Sequence, residues 1–175
     1  MAVGALAPVD RPILDLIQLP HASWLDLGAS LISVFGQLEV LGTVALGVAM
    51  VRLRAGRRDW WIPLLLLMVV GVELVLKVVV PQLPPPHELS RSANLLPFLE
   101  SPTPFAFPSG HVARIAFLAT VLRARGAVVI VLTMALTRVY LAEHWPSDVL
   151  GGWLLGYGIA ALALGAPLTY RRPVR

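Results

Sequence analysis

Long apolar runs separated by short polar segments make up most of the chain, and each is too long for a strand. They predict helical spans at about Trp24–Val51, Trp61–Val80, Ser109–Leu122, Ala127–Leu141 and Asp148–Thr169. A hydrocarbon core about 30 Å thick takes about 20 apolar residues of helix. The third and fourth runs are short and carry Arg114 and Arg138 near one end, so neighbouring helices must shelter them from lipid. Ahead of the first run, Leu14, Ile17 and Leu19 beside Asp15 predict a short amphipathic helix at the membrane interface; a loose arm is the alternative. No signal peptide is expected, because the start has no basic residue and Pro8, Asp10, Arg11 and Pro12 interrupt any apolar core. The expected fold is all-α: a polytopic transmembrane helix bundle of about five spans in one domain, 1–175. Within it, 1–22 is the interfacial segment, 81–108 an extracytoplasmic loop and 170–175 a cytoplasmic tail.

Composition agrees with the pattern. Hydrophobic residues make up 57% of the 175 and charged residues 14%, against about 25% charged in soluble domains, and the mean hydropathy is +0.78. Trp24, Trp60, Trp61, Trp145 and Trp153 fall near the predicted span ends, as an interfacial belt requires. The chain has no cysteine, which excludes disulfides, thiolate metal sites and a cysteine nucleophile.

The net charge of +4 does not imply nucleic acid, because of where the basic residues lie. Arg52, Arg54, Arg57 and Arg58 follow the first span, Arg123 and Arg125 the third, and Arg171, Arg172 and Arg175 the fifth. Five spans put these three regions on one side, which the positive-inside rule makes cytoplasmic. Lys77, Arg91, Arg114 and Arg138 lie at or near the other side, where that rule disfavours them. Cations on separate segments near one membrane face point to a site.

Three stretches meet there. Lys77 ends the second span before a proline-rich turn. Pro108-Ser109-Gly110-His111 opens the third: Ser109 suits a helix cap, Gly110 allows close approach of an anion to the backbone, and a helix start with free N–H groups binds phosphate. Taken alone, this tetrapeptide also fits an ordinary cap. Between the fourth and fifth spans, Arg138 offers a fork for phosphate oxygens, and Asp148, four residues after His144, can orient its imidazole. A surface ion-pair cluster of Arg138, Glu143 and Asp148 is the plainer alternative. Glu73, four residues before Lys77, is expected to pair with it; Arg114 is a candidate partner for Glu39; and Gly151, Gly152, Gly156 and Gly158 predict close helix packing.

These motifs resemble those of the type 2 phosphatidic acid phosphatase superfamily, membrane lipid phosphate phosphatases related to vanadium haloperoxidases. The Pro-Ser-Gly-His motif is intact, and Thr137-Arg138, five residues, His144, three residues, Asp148 matches the family's third motif with Thr for Ser. The first motif departs: Lys77 is in place, but Pro84 stands where the family has an arginine, followed by Pro85 as expected. Arg91, Gln82 or Arg114 could substitute. The resemblance covers about Leu25 to Leu164. It implies a nucleophile at His144 that forms a phospho-histidine, Asp148 positioning it, and His111 as acid and then base. Lys77, Ser109, the Gly110 amide and Arg138 would hold phosphate oxygens. It implies no cofactor and no metal, since Lys77 and Arg138 repel a cation. The partner would be a lipid phosphate or diphosphate in the bilayer, such as a polyprenyl diphosphate, phosphatidylglycerol phosphate or phosphatidic acid. The expected location is a bacterial plasma membrane with the site facing outside the cytoplasm. A non-catalytic anionic-lipid-binding protein of the same fold, a small transporter or proton relay using Glu39, Glu73 and the histidines, and a metal site at His111, His144 and Asp148 are the competing readings.

Overall fold

The computed structural model describes residues 6–93 and 104–165. The tail 170–175, the end of the fifth predicted span and the middle of the 81–108 loop lie outside the described residues. Seven α-helices are described: α1 (Ala7–Ile17), α2 (Ser23–Val34), α3 (Leu38–Arg54), α4 (Leu66–Val79), α5 (Gly110–Val121), α6 (Ala127–Tyr140) and α7 (Pro146–Ala163). Short 3₁₀ turns at Ile62–Leu65 and His87–Leu89 precede α4 and follow it. No strand occurs among the described residues, so the chain is all-α.

Helix α5 is the centre of the bundle, packed by α4, α6 and α7 and touched by α3. At 12 residues it is about 18 Å long. Its shelter is nearly complete: Val112, Ala113, Ala116 and Phe117 are all buried. The α5–α7 contact depends on two glycines. A Cβ on Gly152 would meet the Ser109 carbonyl, and one on Gly156 would meet the Ala113 carbonyl. Gly151 instead makes room for the Phe107 ring, and Gly158 faces open space, so it takes no part in the close packing expected of it.

The first predicted span is broken. Helices α2 and α3 meet at 41° across Phe35–Gln37, where one continuous helix was expected. Among the described residues, Ile62–Val79 alone is long and apolar enough to cross a bilayer by itself, and the bent α2–α3 pair qualifies if taken as one span. The remaining helices are shorter or less apolar than a lone span. Even so, Leu67, Val75, Val78, Val79, Val129, Leu136, Leu154 and Leu162 project from the bundle, an apolar outer surface suited to hydrocarbon. Trp24 and Trp61 are exposed near helix starts, whereas Trp153 lies two turns into α7 beside Leu150, Leu154 and Tyr157 rather than at an end.

The N-terminal helix forms as expected and is docked. Leu14 is fully buried against α6 and α7 side chains, while Leu19 is exposed. The buried Asp10 carboxylate accepts hydrogen bonds from the Ser147 amide (2.8 Å) and hydroxyl (2.6 Å), satisfying free donors at the start of α7. Gln18 donates to the Leu89 and Tyr140 carbonyls at 3.1 and 2.8 Å, tying the helix end to the site-bearing face.

At the opposite end, Arg52 donates to the Val121 carbonyl (3.2 Å) and pairs with Asp59 (3.3 Å). The loop after α3 and the loop after α5 therefore share one end of the bundle, away from Lys77, Ser109 and Asp148.

Candidate active site

The chain path explains why the predicted residues converge. Helix α4 ends, α5 starts, α6 ends and α7 starts at one end of the bundle. The Ser109 amide donates to the Asp148 carbonyl at 2.9 Å, joining the starts of α5 and α7. Lys77, 3% exposed, donates through Nζ to the carbonyls of Phe105 (2.9 Å) and Ala106 (3.4 Å), which fixes the strand of chain leading into Pro108-Ser109. An ammonium has three donors, so these two bonds leave one.

The turn between α6 and α7 is built locally. The Arg138 carbonyl accepts from the Glu143 amide (3.1 Å) and the His144 amide (3.3 Å), and the Val139 carbonyl from Ala142 (2.9 Å). This pattern closes a helix with one left-handed residue, usually glycine. Here that residue is Ala142, at φ 54°, with its methyl in the core. The turn places His144 so that Nδ1 lies 3.5 Å from Asp148 Oδ2. The same oxygen accepts from the Trp145 amide at 2.8 Å, so Asp148 both caps α7 and faces the imidazole.

Arg138 is held from two sides, by the Ser33 hydroxyl of α2 and by Glu143 at 3.7 Å. Glu143, for which the sequence suggests no role, also accepts from the Ser90 hydroxyl at 3.4 Å. His111 lies within electrostatic reach of Arg138, Arg114, His144 and Lys77. Buried polar atoms are normally paired, yet Ser109 Oγ, Arg138 Nε, His144 Nδ1 and Asp148 Oδ1 are buried without a hydrogen bond. Their concentration on four of the seven predicted site residues makes this end the candidate site.

Burial, then the charges of Arg138 and Lys77, holds the His144 imidazole well below the ordinary histidine range. An unfolded chain binds that proton at about pH 6.5. As pH falls below this value, the unfolded state takes up a proton that the folded state refuses, so stability declines through the window between the two values and is unaffected above it. Thermal unfolding from pH 8 to 5 should show this acid-side loss, and His144→Asn should lose less.

Three expectations are corrected. Glu73 pairs with Arg114 at 2.9 Å and not with Lys77, whose donors turn to the Phe105 and Ala106 carbonyls. Arg114 is therefore Glu73's partner rather than Glu39's, although Glu39 lies within its field. The Glu73 carboxylate also lies where a Gly110 Cβ would be, so the glycine makes room for this α4 side chain. The candidates for the missing arginine are committed elsewhere. Arg91 donates to the Pro20 and Gln18 carbonyls (2.8 and 2.9 Å) and stacks on Tyr140. Gln82 donates to Ser147 Oγ at 3.1 Å, Arg114 to Glu73, and Pro84 itself is exposed. Ser33, Gly36 and Glu73 reach this region without a motif to announce them.

A profile of the PAP2 superfamily matches residues 59–172, well over half of the chain. The chain belongs to the PAP2 superfamily. An undecaprenyl-diphosphatase of Sulfolobus acidocaldarius is 29% identical across 62% of this chain and 64% of its own length, so the chain spans somewhat under two thirds of that relative. Among solved structures, a transmembrane PAP2 type phosphatidylglycerolphosphate phosphatase from Bacillus subtilis superposes with a TM-score of 0.73. That match covers 97% of this chain and 90% of the other at 24% identity. LpxE of Aquifex aeolicus gives 0.68, covering 94% and 98% at 23% identity. Their likeness establishes the overall fold, which this chain shares with a transmembrane PAP2 protein.

Proposed function

We propose that this protein is an integral membrane lipid phosphatase that hydrolyses a phosphate monoester or diphosphate of a lipid through a phospho-histidine. The observation that carries the reading is the gathering of His144, Asp148, Ser109, Arg138 and Lys77 at one end of the bundle, four of them with unpaired buried polar atoms. Asp148 faces Nδ1 of His144, which leaves Nε2 to attack phosphorus. As the N–P bond forms and the ester P–O bond breaks, protonated His111 gives its proton to the departing oxygen. His111 then takes a proton from water, which attacks the phospho-histidine, releases phosphate and frees His144. Lys77, Arg138, Ser109 Oγ and the Gly110 amide stabilise the charge that develops on the three equatorial oxygens.

Cations do here what a metal does in other phosphatases, and the same cations oppose binding of one. The apolar outer surface leaves the lipid tail beside the helices with the phosphate at the bundle end. Arg52, Arg54, Arg57, Arg58, Arg123 and Arg125 at the other end support a cytoplasmic assignment for it and a site facing outside the cytoplasm of a bacterial cell. Two of the similar proteins are an undecaprenyl-diphosphatase and a phosphatidylglycerolphosphate phosphatase, so a polyprenyl diphosphate and phosphatidylglycerol phosphate lead the substrate candidates, with phosphatidic acid the third.

The test is phosphate release by detergent-purified protein from a panel of these lipids, with and without chelator. Release that survives chelation is expected. Lipid binding without release would favour a non-catalytic binding protein, the reading that Pro84 invites. Release lost on chelation and restored by a divalent cation would overturn the metal-free mechanism.

A further inference from the structure

We infer that the buried Glu73–Arg114 ion pair and the α2–α3 break that it holds position His111 for proton transfer, an inference that rests on the phosphatase reading above. Arg114 lies one turn after His111 on α5, and side chains on a helix lean toward its N-terminus. Its Nη1 donates to Glu73 Oε2 at 2.9 Å, and its Nε donates to the Gly36 carbonyl at 3.2 Å. Both partners are nearly enclosed, with side-chain exposures of 10% and 7%. Gly36 is the middle residue of the break between α2 and α3. A Cβ there would stand 2.6 Å from His111 Cδ2 and 2.9 Å from its Cβ, so the His111 ring lies directly against the Gly36 backbone. The other end of the unit touches α5 as well, because the Glu73 carboxylate lies where a Gly110 Cβ would be.

Glu73, Arg114 and Gly36 thus come from α4, α5 and the α2–α3 break and enclose the first turn of α5. Arg114 fixes the height of the break, and the break supplies the wall behind His111. Glu73 also explains why Arg114 does not replace the family arginine missing at Pro84: its charge is already matched, and its donors face Glu73 and Gly36. These residues position His111 and touch no reacting atom themselves.

A general acid matters most when the departing oxygen is a poor leaving group. Two substrates therefore separate positioning from general structural damage: an alkyl lipid phosphate (dioleoyl phosphatidic acid in detergent micelles) and an aryl monoester (p-nitrophenyl phosphate), whose phenolate departs with little need of a proton. The readout is first-turnover release of the leaving group by full-length Gly36→Ala. Slowing of about 10- to 100-fold is expected with the lipid and less than about threefold with the aryl ester. The double variant Glu73→Gln/Arg114→Gln, which leaves no lone buried charge, should show the same asymmetry and covers the case in which Gly36→Ala does not fold. Equal slowing on both substrates, or none on either, would overturn the positioning role. His144→Ala run in parallel separates the two levels: release retained there overturns the phospho-histidine mechanism proposed for this site, whereas release abolished there alongside symmetric slowing overturns only the inference about His111.

Discussion

Alanine at His144 is expected to abolish phosphate release, lowering first-turnover rates by about four orders of magnitude or more, the scale seen when a nucleophile is removed from a concerted site. The reason is geometric. His144 is buried, its Nδ1 faces Asp148 Oδ2 at 3.5 Å, and its backbone is fixed by the turn on the Arg138 carbonyl. Deleting the ring removes the nitrogen proposed to attack and leaves in place Lys77, Ser109 and Arg138, the proposed phosphate ligands, so lipid affinity should persist. His144 is a cleaner target than Asp148, whose carboxylate also accepts from the Trp145 amide at the start of α7. Rapid quench with phosphorus-labelled lipid should trap an acid-labile phospho-protein in the native enzyme and none in the variant. Undiminished labelling of His144→Ala would move the nucleophile to another residue.

A pair of glycine substitutions on α7 should have opposite effects. Gly156→Ala puts a Cβ into the Ala113 carbonyl and within 3.0 Å of the Phe117 amide, backbone atoms that no rotamer change can move. Helices α5 and α7 must then separate, at a cost of about 1–3 kcal/mol for overpacking. Because Ser109 and His111 ride on the start of α5 and Asp148 on the start of α7, the same shift should slow phosphate release by about 100-fold. Gly158→Ala, two residues on, meets open space, and should leave activity intact while gaining up to about 1 kcal/mol of helix propensity. Thermal unfolding in detergent combined with turnover checks both. Similar stability losses for the two variants would mean that the α5–α7 contact is not set by these close approaches.

Much of the site was legible because its chemistry is local in sequence. His144 and Asp148 are four residues apart, and Arg138 shares a turn with His144, so helix and turn geometry alone bring them together. Pro108 to His111 reads as the start of a helix for the same reason, and α5 begins at Gly110. The boundaries of α5 and α6 follow the apolar runs closely, and α4 does so only when the 3₁₀ turn Ile62–Leu65 before it is included. Glu73 illustrates the limit of local reading. Spacing favoured Lys77 as its partner, but the faces of α4 and α5 that meet put Arg114 at 2.9 Å across 41 residues of chain, while Lys77 turned to two carbonyls. The Ser33 hydroxyl reaches Arg138 across 105 residues, and Asp10 reaches Ser147 across 137.

By itself the sequence determined that the chain is helical, apolar and membrane-suited, that its basic loops oppose a polar end, and that His111, His144 and Asp148 are candidates for one site. Periodicity, composition and short-range spacing act within single elements, and these properties need nothing more. Tertiary structure alone decided the break at Gly36, the docking of α1 on α7, the choice of Gly152 and Gly156 over Gly158, and the partner of each buried charge. Those outcomes depend on which helix faces meet and how closely. A buried charge takes whichever partner packing brings within about 3 Å, and a helix breaks where a neighbouring side chain, here His111 with Arg114, needs the space and the carbonyl.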